Sequence, residues 1–269
     1  MNTNDFKKFI NFKNLDKNLK NFNGKLPFDF TYCDNFFNAE IAAKLEAEFP
    51  IYQSKSWHVY KNPLEIKKTI NNWNLFGELT YKILHILNSK AFLNYLSDQI
   101  NTKQLFPDMG LNGGGWHIHS KGGKLNPHLD YNLHPKLNLQ RKINVIVFLT
   151  KNWKKSWGGE LGFWSKDKRD NLPGNLVKSI FPKFNRAIIF DTTQNSWHGL
   201  SNQISCPNKI YRKSLAIYFL QKFDKIDDNR SKALFAPTKN QKNNKKILNL
   251  IKKRSSIKNY KQAYVTRTN

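Results

Sequence analysis

Two cysteines, Cys33 and Cys206, are all that this 269-residue chain contains. They lie far apart and fit neither a disulfide framework nor a zinc motif, which points to a reducing, cytoplasmic setting. Long apolar runs are also lacking. No stretch approaches the roughly 20 apolar residues that span a bilayer, and the first 25 residues alternate Lys, Asn and Phe without the continuous apolar run of a secretory leader. Acidic residues are scarce: 19 Asp and Glu stand against 45 Lys and Arg, giving a net charge of +26. Arginine is scarce among those cations, and it is arginine that suits base recognition and bidentate phosphate contacts. The excess of Lys beside Asn is also what an AT-rich coding bias produces. Nucleic acid is therefore disfavoured as a partner, while contact with an anionic membrane or glycan surface stays open.

The 39% hydrophobic and 14% aromatic content is enough for a substantial core. Residues 1–25 read as a loose basic arm and 26–222 as the main domain, divided into a helical flank (26–107) and a β-rich core (108–222). Residues 223–269 read as a basic tail, weakly amphipathic around Ile247, Leu248 and Ile251. In the flank, a strand is expected over Phe28–Tyr32. A helix is expected over Asn38–Phe49, with Asn38 as N-cap and Ile41, Ala42, Leu45 and Phe49 on one face. Phe76, Leu79, Ile83 and Leu87 mark a second helix; Phe92, Leu96 and Ile100 mark a third. From Asp108 the texture changes to short β-type runs divided by Gly, Pro and Asn: Ile143–Leu149, Glu160–Trp164, Ala187–Phe190 and Ser214–Leu220. Several such strands in about a hundred residues point to a barrel or jelly roll.

The segment Asn126-Pro127-His128-Leu129-Asp130 contains H-x-D. In a strand, residues two apart share a face, so His128 and Asp130 can point together into a barrel. Alone, the motif fits a surface histidine as well. A second histidine, His198, follows the apolar strand that ends at Phe190-Asp191. Two imidazoles and one carboxylate suit non-haem Fe(II) and leave coordination positions open. Asn144 comes fourteen residues after Asp130, and Arg212 fourteen after His198, opening another apolar strand. A guanidinium there can pair bidentately with the far end of a dicarboxylate. Lys213, next along the strand, points the opposite way.

From Asp108 to Leu220 these elements resemble, in order, the 2-oxoglutarate- and Fe(II)-dependent oxygenases of the prolyl 4-hydroxylase-like branch. They include Gly113-Gly114-Gly115-Trp116-His117, His128-Leu129-Asp130, Arg141-Lys142-Ile143-Asn144, Trp157-Gly158-Gly159-Glu160, Trp197-His198-Gly199 and Arg212. The resemblance implies a mainly β, double-stranded β-helix core (jelly-roll or cupin-like) buttressed by N-terminal helices. It implies Fe(II) on His128, Asp130 and His198, with 2-oxoglutarate on the metal and its distal carboxylate on Arg212. O₂ is the oxidant, ascorbate is an accessory reductant, and succinate and CO₂ are released as an unidentified substrate is hydroxylated. Relatives that halogenate carry a small residue where Asp130 stands, so hydroxylation is favoured.

Two positions depart from the pattern. His119 stands where many relatives have a pocket tyrosine, and it joins Asn144 as a candidate co-substrate contact. Phe148 replaces a tyrosine that supports the distal carboxylate. Trp197 is the expected pocket tryptophan, His117 a pocket-lining residue and His134 a non-ligand. Asp191 is expected to orient a loop, or to hydrogen-bond a ligating imidazole. A small molecule, a glycan or lipid intermediate, or a peptidyl residue fits the chemistry. The alternatives are a non-catalytic β-helix binding or scaffold module and a nucleic-acid-directed oxygenase. For the last, Tyr218 stands where repair-type relatives show a second arginine.

Overall fold

The computed structural model describes residues 6–167, 172–223 and 230–255. Elements are labelled in chain order. The N-terminal part contributes α1 (Phe12–Leu19), β1 (Phe30–Cys33), α2 (Ala39–Ala47), β2 (His58–Lys61), β3 (Glu65–Ile70), α3 (Glu78–Leu87), α4 (Lys90–Gln99) and β4 (Leu105–Pro107). The β-rich part contributes β5 (Gly115–His119), β6 (Lys124–Leu125), β7 (His128–Leu129), β8 (Gln140–Phe148), β9 (Leu161–Lys166), β10 (Pro173–Ile180), β11 (Arg186–Asp191), β12 (His198–Leu200) and β13 (Arg212–Gln221). β14 (Leu234–Phe235) and α5 (Lys245–Ser255) follow.

Two antiparallel sheets face each other. The larger runs β1-β11-β8-β13-β5-β3-β2, with β4 beside β13 and β6 beside β3; the smaller runs β10-β9-β12-β7-β14. The central strands are buried on both faces, and alternation sorts their side chains into two layers. Ile143, Val145 and Val147 of β8, with Leu215, Ile217 and Phe219 of β13, join the helices in the main core. Ile146 and Phe148 point the other way and pack with Phe163, Ile188 and Phe190 between the sheets. Asn144, Arg212 and Tyr218 share that inner face and line a cavity of about 230 Å³.

The mainly β fold with a helical buttress agrees with the sequence reading, but two boundaries need correction. The N-terminal arm is not loose: its described part forms α1, and Phe6, Ile10, Leu15, Leu19 and Phe22 are buried in the main core. Asn11 caps α1 by accepting from the Asn14 N–H at 3.2 Å, and the Tyr95 hydroxyl donates to Asp16. Nor is the C-terminal tail separate, because β14 pairs with β7 and Arg254 of α5 is buried. Positions 224–229 and 256–269 of that tail lie outside the described residues. Alternating Lys and Asn hid both segments, since the apolar residues that anchor them are few.

The α2 N-cap differs too. Asn38 occupies the cap position without accepting a capping bond; its amide donates instead to the carbonyls of Lys7 and Lys8, at 3.1 and 2.9 Å. Glu48, just past α2, accepts from the Leu79 and Thr80 N–H groups at the start of α3, at 2.9 and 2.8 Å. A carboxylate at that end also complements the helix dipole.

Candidate metal and co-substrate site

β7 and β12 are neighbours in the smaller sheet, and His128 pairs directly with His198 across them. Their rings therefore meet on the cavity side, with centroids 4.2 Å apart. Asp130, two residues beyond His128, turns to the same point. One ligand atom from each of His128, Asp130 and His198 lies within 4.8 Å of the others, and all three residues are buried. The sequence reading brought these three together, and the structure does likewise.

Each imidazole has its Nδ1–H committed to a backbone carbonyl: His128 donates to Asn126 at 3.1 Å and His198 to Ser196 at 2.8 Å. This fixes the tautomer and leaves both Nε2 lone pairs facing Asp130, at 3.8 Å from Oδ1 and 3.6 Å from Oδ2. Burial pushes His128 down to about 3 and lowers His198, so both rings are neutral at pH 7. Burial alone would raise the Asp130 carboxyl, but the His198 ring once protonated at low pH, together with the Arg141 guanidinium, outweighs it and holds the group below its usual value. Asp130 Oδ2 is buried with no hydrogen-bond partner. Two neutral imidazoles and an ionised carboxylate with an unpaired oxygen are a donor set that suits Fe(II).

A second group of unsatisfied polar atoms lines the same cavity. Arg212 opens β13 opposite His119 of β5, and Asn144 sits on β8, which flanks β13 on its other side. Arg212 Nε, both ring nitrogens of His119 and both amide atoms of Asn144 are buried without partners. Atoms of this kind are costly to leave unmade, and a polar ligand entering the cavity would satisfy them. Burial pushes Arg212 down to about 9, against the pull of Glu160, so it stays a cation at neutral pH. Its guanidinium lies 4.6 Å from the Phe148 ring. Lys213 points away, over the Phe49 ring on the helical side.

Other expectations fare unevenly. His117 lines the cavity and bonds the Gly113 carbonyl at 3.1 Å. His134 lies 3.6 Å from Asp108 and accepts from the Lys136 and Leu137 N–H groups, so it shapes a loop. Trp197 is not a pocket residue: it is fully buried with Leu129 and Ala236. Asp191 orients a loop by accepting from the Thr193 N–H at 2.7 Å and from Lys142 at 2.5 Å. It is Ser196, and not Asp191, that accepts from the His198 ring.

Sequence reasoning missed Arg141. Its guanidinium lies between the rings of Tyr131 and Tyr218, at 3.4 and 3.5 Å, with Nη1 3.4 Å from Asp130 Oδ1. Nη2 donates to the Asn112 carbonyl. The Tyr218 hydroxyl reaches the same Oδ1 at 3.5 Å, so Oδ1 is engaged while Oδ2 is not. Also missed were Glu65 and Lys67, which share a face of β3 and pair at 3.1 Å at the cavity wall. A charged pair two apart in a strand that is otherwise half-buried was the available clue.

Comparison with known proteins agrees with this geometry. Residues 114–220 match the model of the 2OG-Fe(II) oxygenase superfamily. Prolyl 3-hydroxylase OGFOD1 of Xenopus laevis is 34% identical over 65 residues, which are 24% of this chain and 12% of that protein. The match thus spans about an eighth of that relative's length. A prolyl hydroxylase from Trichoplax adhaerens, solved with a hypoxia inducible factor peptide fragment, superposes with a TM-score of 0.55 at 15% identity, covering 82% of this chain and 94% of that one. A Pseudomonas putida prolyl-4-hydroxylase superposes at 0.50 and 15% identity, covering 76% and 98%. Residues 114–220 thus match the 2OG-Fe(II) oxygenase superfamily, and the chain shares the double-stranded β-helix fold of the prolyl hydroxylase structures.

Proposed function

We propose that the chain is a hydroxylase that holds Fe(II) on His128 Nε2, Asp130 Oδ2 and His198 Nε2. The observation that carries this reading is the convergence of those atoms, each buried and each left without a competing hydrogen bond on the metal-facing side. Bound Fe(II) supplies O₂ activation coupled to oxidative decarboxylation of 2-oxoglutarate. The balance is substrate C–H, O₂ and 2-oxoglutarate in, and substrate C–OH, succinate and CO₂ out.

The chain's own residues do the positioning. Arg212 pairs with the distal carboxylate of 2-oxoglutarate. Burial keeps His119 neutral, so it donates one N–H and accepts at its other nitrogen, and Asn144 offers an amide from the next strand but one. Arg141 and Tyr218 hold Asp130 Oδ1, turning Oδ2 to the metal. Ile146, Leu161 and Leu200 line the cavity and limit water around the co-substrate.

For the primary substrate, the prolyl hydroxylases among the relatives favour a peptidyl residue, with proline first to be tested. Ascorbate serves as accessory reductant in this reading. The cytoplasm is the proposed location, in keeping with two free, buried cysteines. No helix among the described residues is long and apolar enough to cross a membrane.

The test is an anaerobic titration of the metal-free protein with Fe(II) and 2-oxoglutarate, followed in the visible range. A charge-transfer band that saturates at one equivalent of each is expected. A featureless spectrum at millimolar co-substrate would sink the reading.

A further inference from the structure

The segment that carries His128 and Asp130 is only seven residues long from Asn126 to Asn132, and its strand β7 has just two residues. Such a strand cannot hold its own geometry. On one side it has β12; on the other it would be an exposed sheet edge but for β14, where Phe235 pairs with His128 and Leu234 with Leu129. The Phe235 ring lies against the His128 imidazole, with centroids 5.0 Å apart and planes 15° apart. Behind it, the Arg254 guanidinium of α5 sits 4.2 Å from the Phe235 ring and pairs with Glu65 at 2.6 Å.

The backbone on either side of the ligands is tied to the same C-terminal stretch. Arg230 donates to the carbonyl of Asp130 at 2.7 Å, and its own carbonyl accepts from the Asn132 N–H at 2.8 Å. The Ala236 N–H donates to the Pro127 carbonyl at 2.8 Å. Asn126, whose carbonyl accepts from the His128 ring, has its own amide bound to the Ala236 carbonyl at 3.0 Å and to Gln241 at 2.6 Å.

We propose that residues 230–255 form a clamp that holds His128 and Asp130 in metal-ligating geometry, with Phe235 and Arg230 as its positioning residues. This segment lies beyond the residues 114–220 that match the family model. The clamp rests on the metal reading given above. It makes the C-terminal stretch part of the centre, acting on the imidazole plane through ring stacking and on the Asp130 backbone through a charged hydrogen bond.

The experiment uses the full chain and Co(II) as probe, with affinity and d–d absorption as readouts that a merely structural role would not move. Phe235→Leu removes the ring but keeps a branched apolar side chain in the buried site, with a melting curve showing that the variant is folded; Phe235→Tyr keeps the ring. Arg230→Met removes the guanidinium. Outer contacts to metal ligands are worth about 10–100-fold in affinity. Phe235→Leu and Arg230→Met are expected to weaken Co(II) binding by about 10-fold or more and to shift the d–d bands. Phe235→Tyr, which keeps the ring, and Lys178→Ala, on the exposed face of β10, are expected to leave both unchanged. Wild-type affinity and spectrum in Phe235→Leu and Arg230→Met would overturn the clamp. Failure of the wild-type protein itself to bind Co(II) would instead overturn the metal reading on which the clamp depends.

Discussion

Burial pushes His128 and His117 each down to about 3, and His119 and His198 are lowered by the same cause. In the unfolded chain these rings take up protons below about 6.5, while in the fold they do so only at lower pH. Unfolding therefore binds protons across that window, and stability falls as pH drops from about 6.5 towards 3. The slope is about 1.4 kcal/mol per pH unit for each fully neutral histidine. The metal-free protein should show a melting temperature that declines steadily from pH 7 to pH 5; a flat profile would show rings that are already protonated or exposed. By the same token the folded protein should bind Co(II) nearly as well at pH 6 as at pH 7, and a tenfold loss over that unit would contradict the neutral-ring assignment. Asp130→Ala or His128→Ala should abolish substrate-uncoupled formation of succinate. Arg212→Ala should mainly raise the 2-oxoglutarate concentration required, with Arg212→Lys restoring only part of the loss, since an ammonium lacks the bidentate fork. That His128, Asp130, His198 and Arg212 would meet at one cavity was legible in H-x-D, a later histidine and an arginine at a strand start. Arg141 was not, because a lone arginine before an apolar strand looks like any surface-facing cation until the two tyrosine rings around it are seen.

Secondary-structure elements were read well wherever apolar residues recur with a clear period. β8, β11 and β13 are buried on both faces, and their unbroken apolar runs stood out from the Asn- and Gly-rich turns between them. α1 and α5 were obscured because their polar faces are built from Lys and Asn, residues that also fill linkers. α1 still carries weight: Leu15 is fully buried in the main core, and Leu15→Ala should cost about 2–4 kcal/mol, measurable as a fall in the urea midpoint. β8 offers an opposite case. Asn144 sits buried with both amide atoms unsatisfied, so Asn144→Leu should hold or raise the melting temperature while weakening 2-oxoglutarate binding. A loss of stability with unchanged co-substrate affinity would mean that the amide serves the strand and not the ligand.

Taken as one body, the molecule carries +26 charges on 269 residues, and like charges on a compact surface repel each other. Added salt screens that repulsion, so raising NaCl from about 50 to 500 mM should increase the melting temperature of the metal-free protein; a decrease would show that specific ion pairs outweigh the overall excess. Inside this positive shell, two sheets face each other across the cavity, and the rung that joins His128 to His198 belongs to the smaller one. A strand slipped by a single residue would turn its side chains to the opposite face, and the ring it carries would swing away from its partner. On the proposed metal assignment, coordination would therefore act as a checkpoint on assembly: only molecules that have threaded those two short strands in step would capture an ion, and the loaded fraction of a preparation would count the correctly built copies.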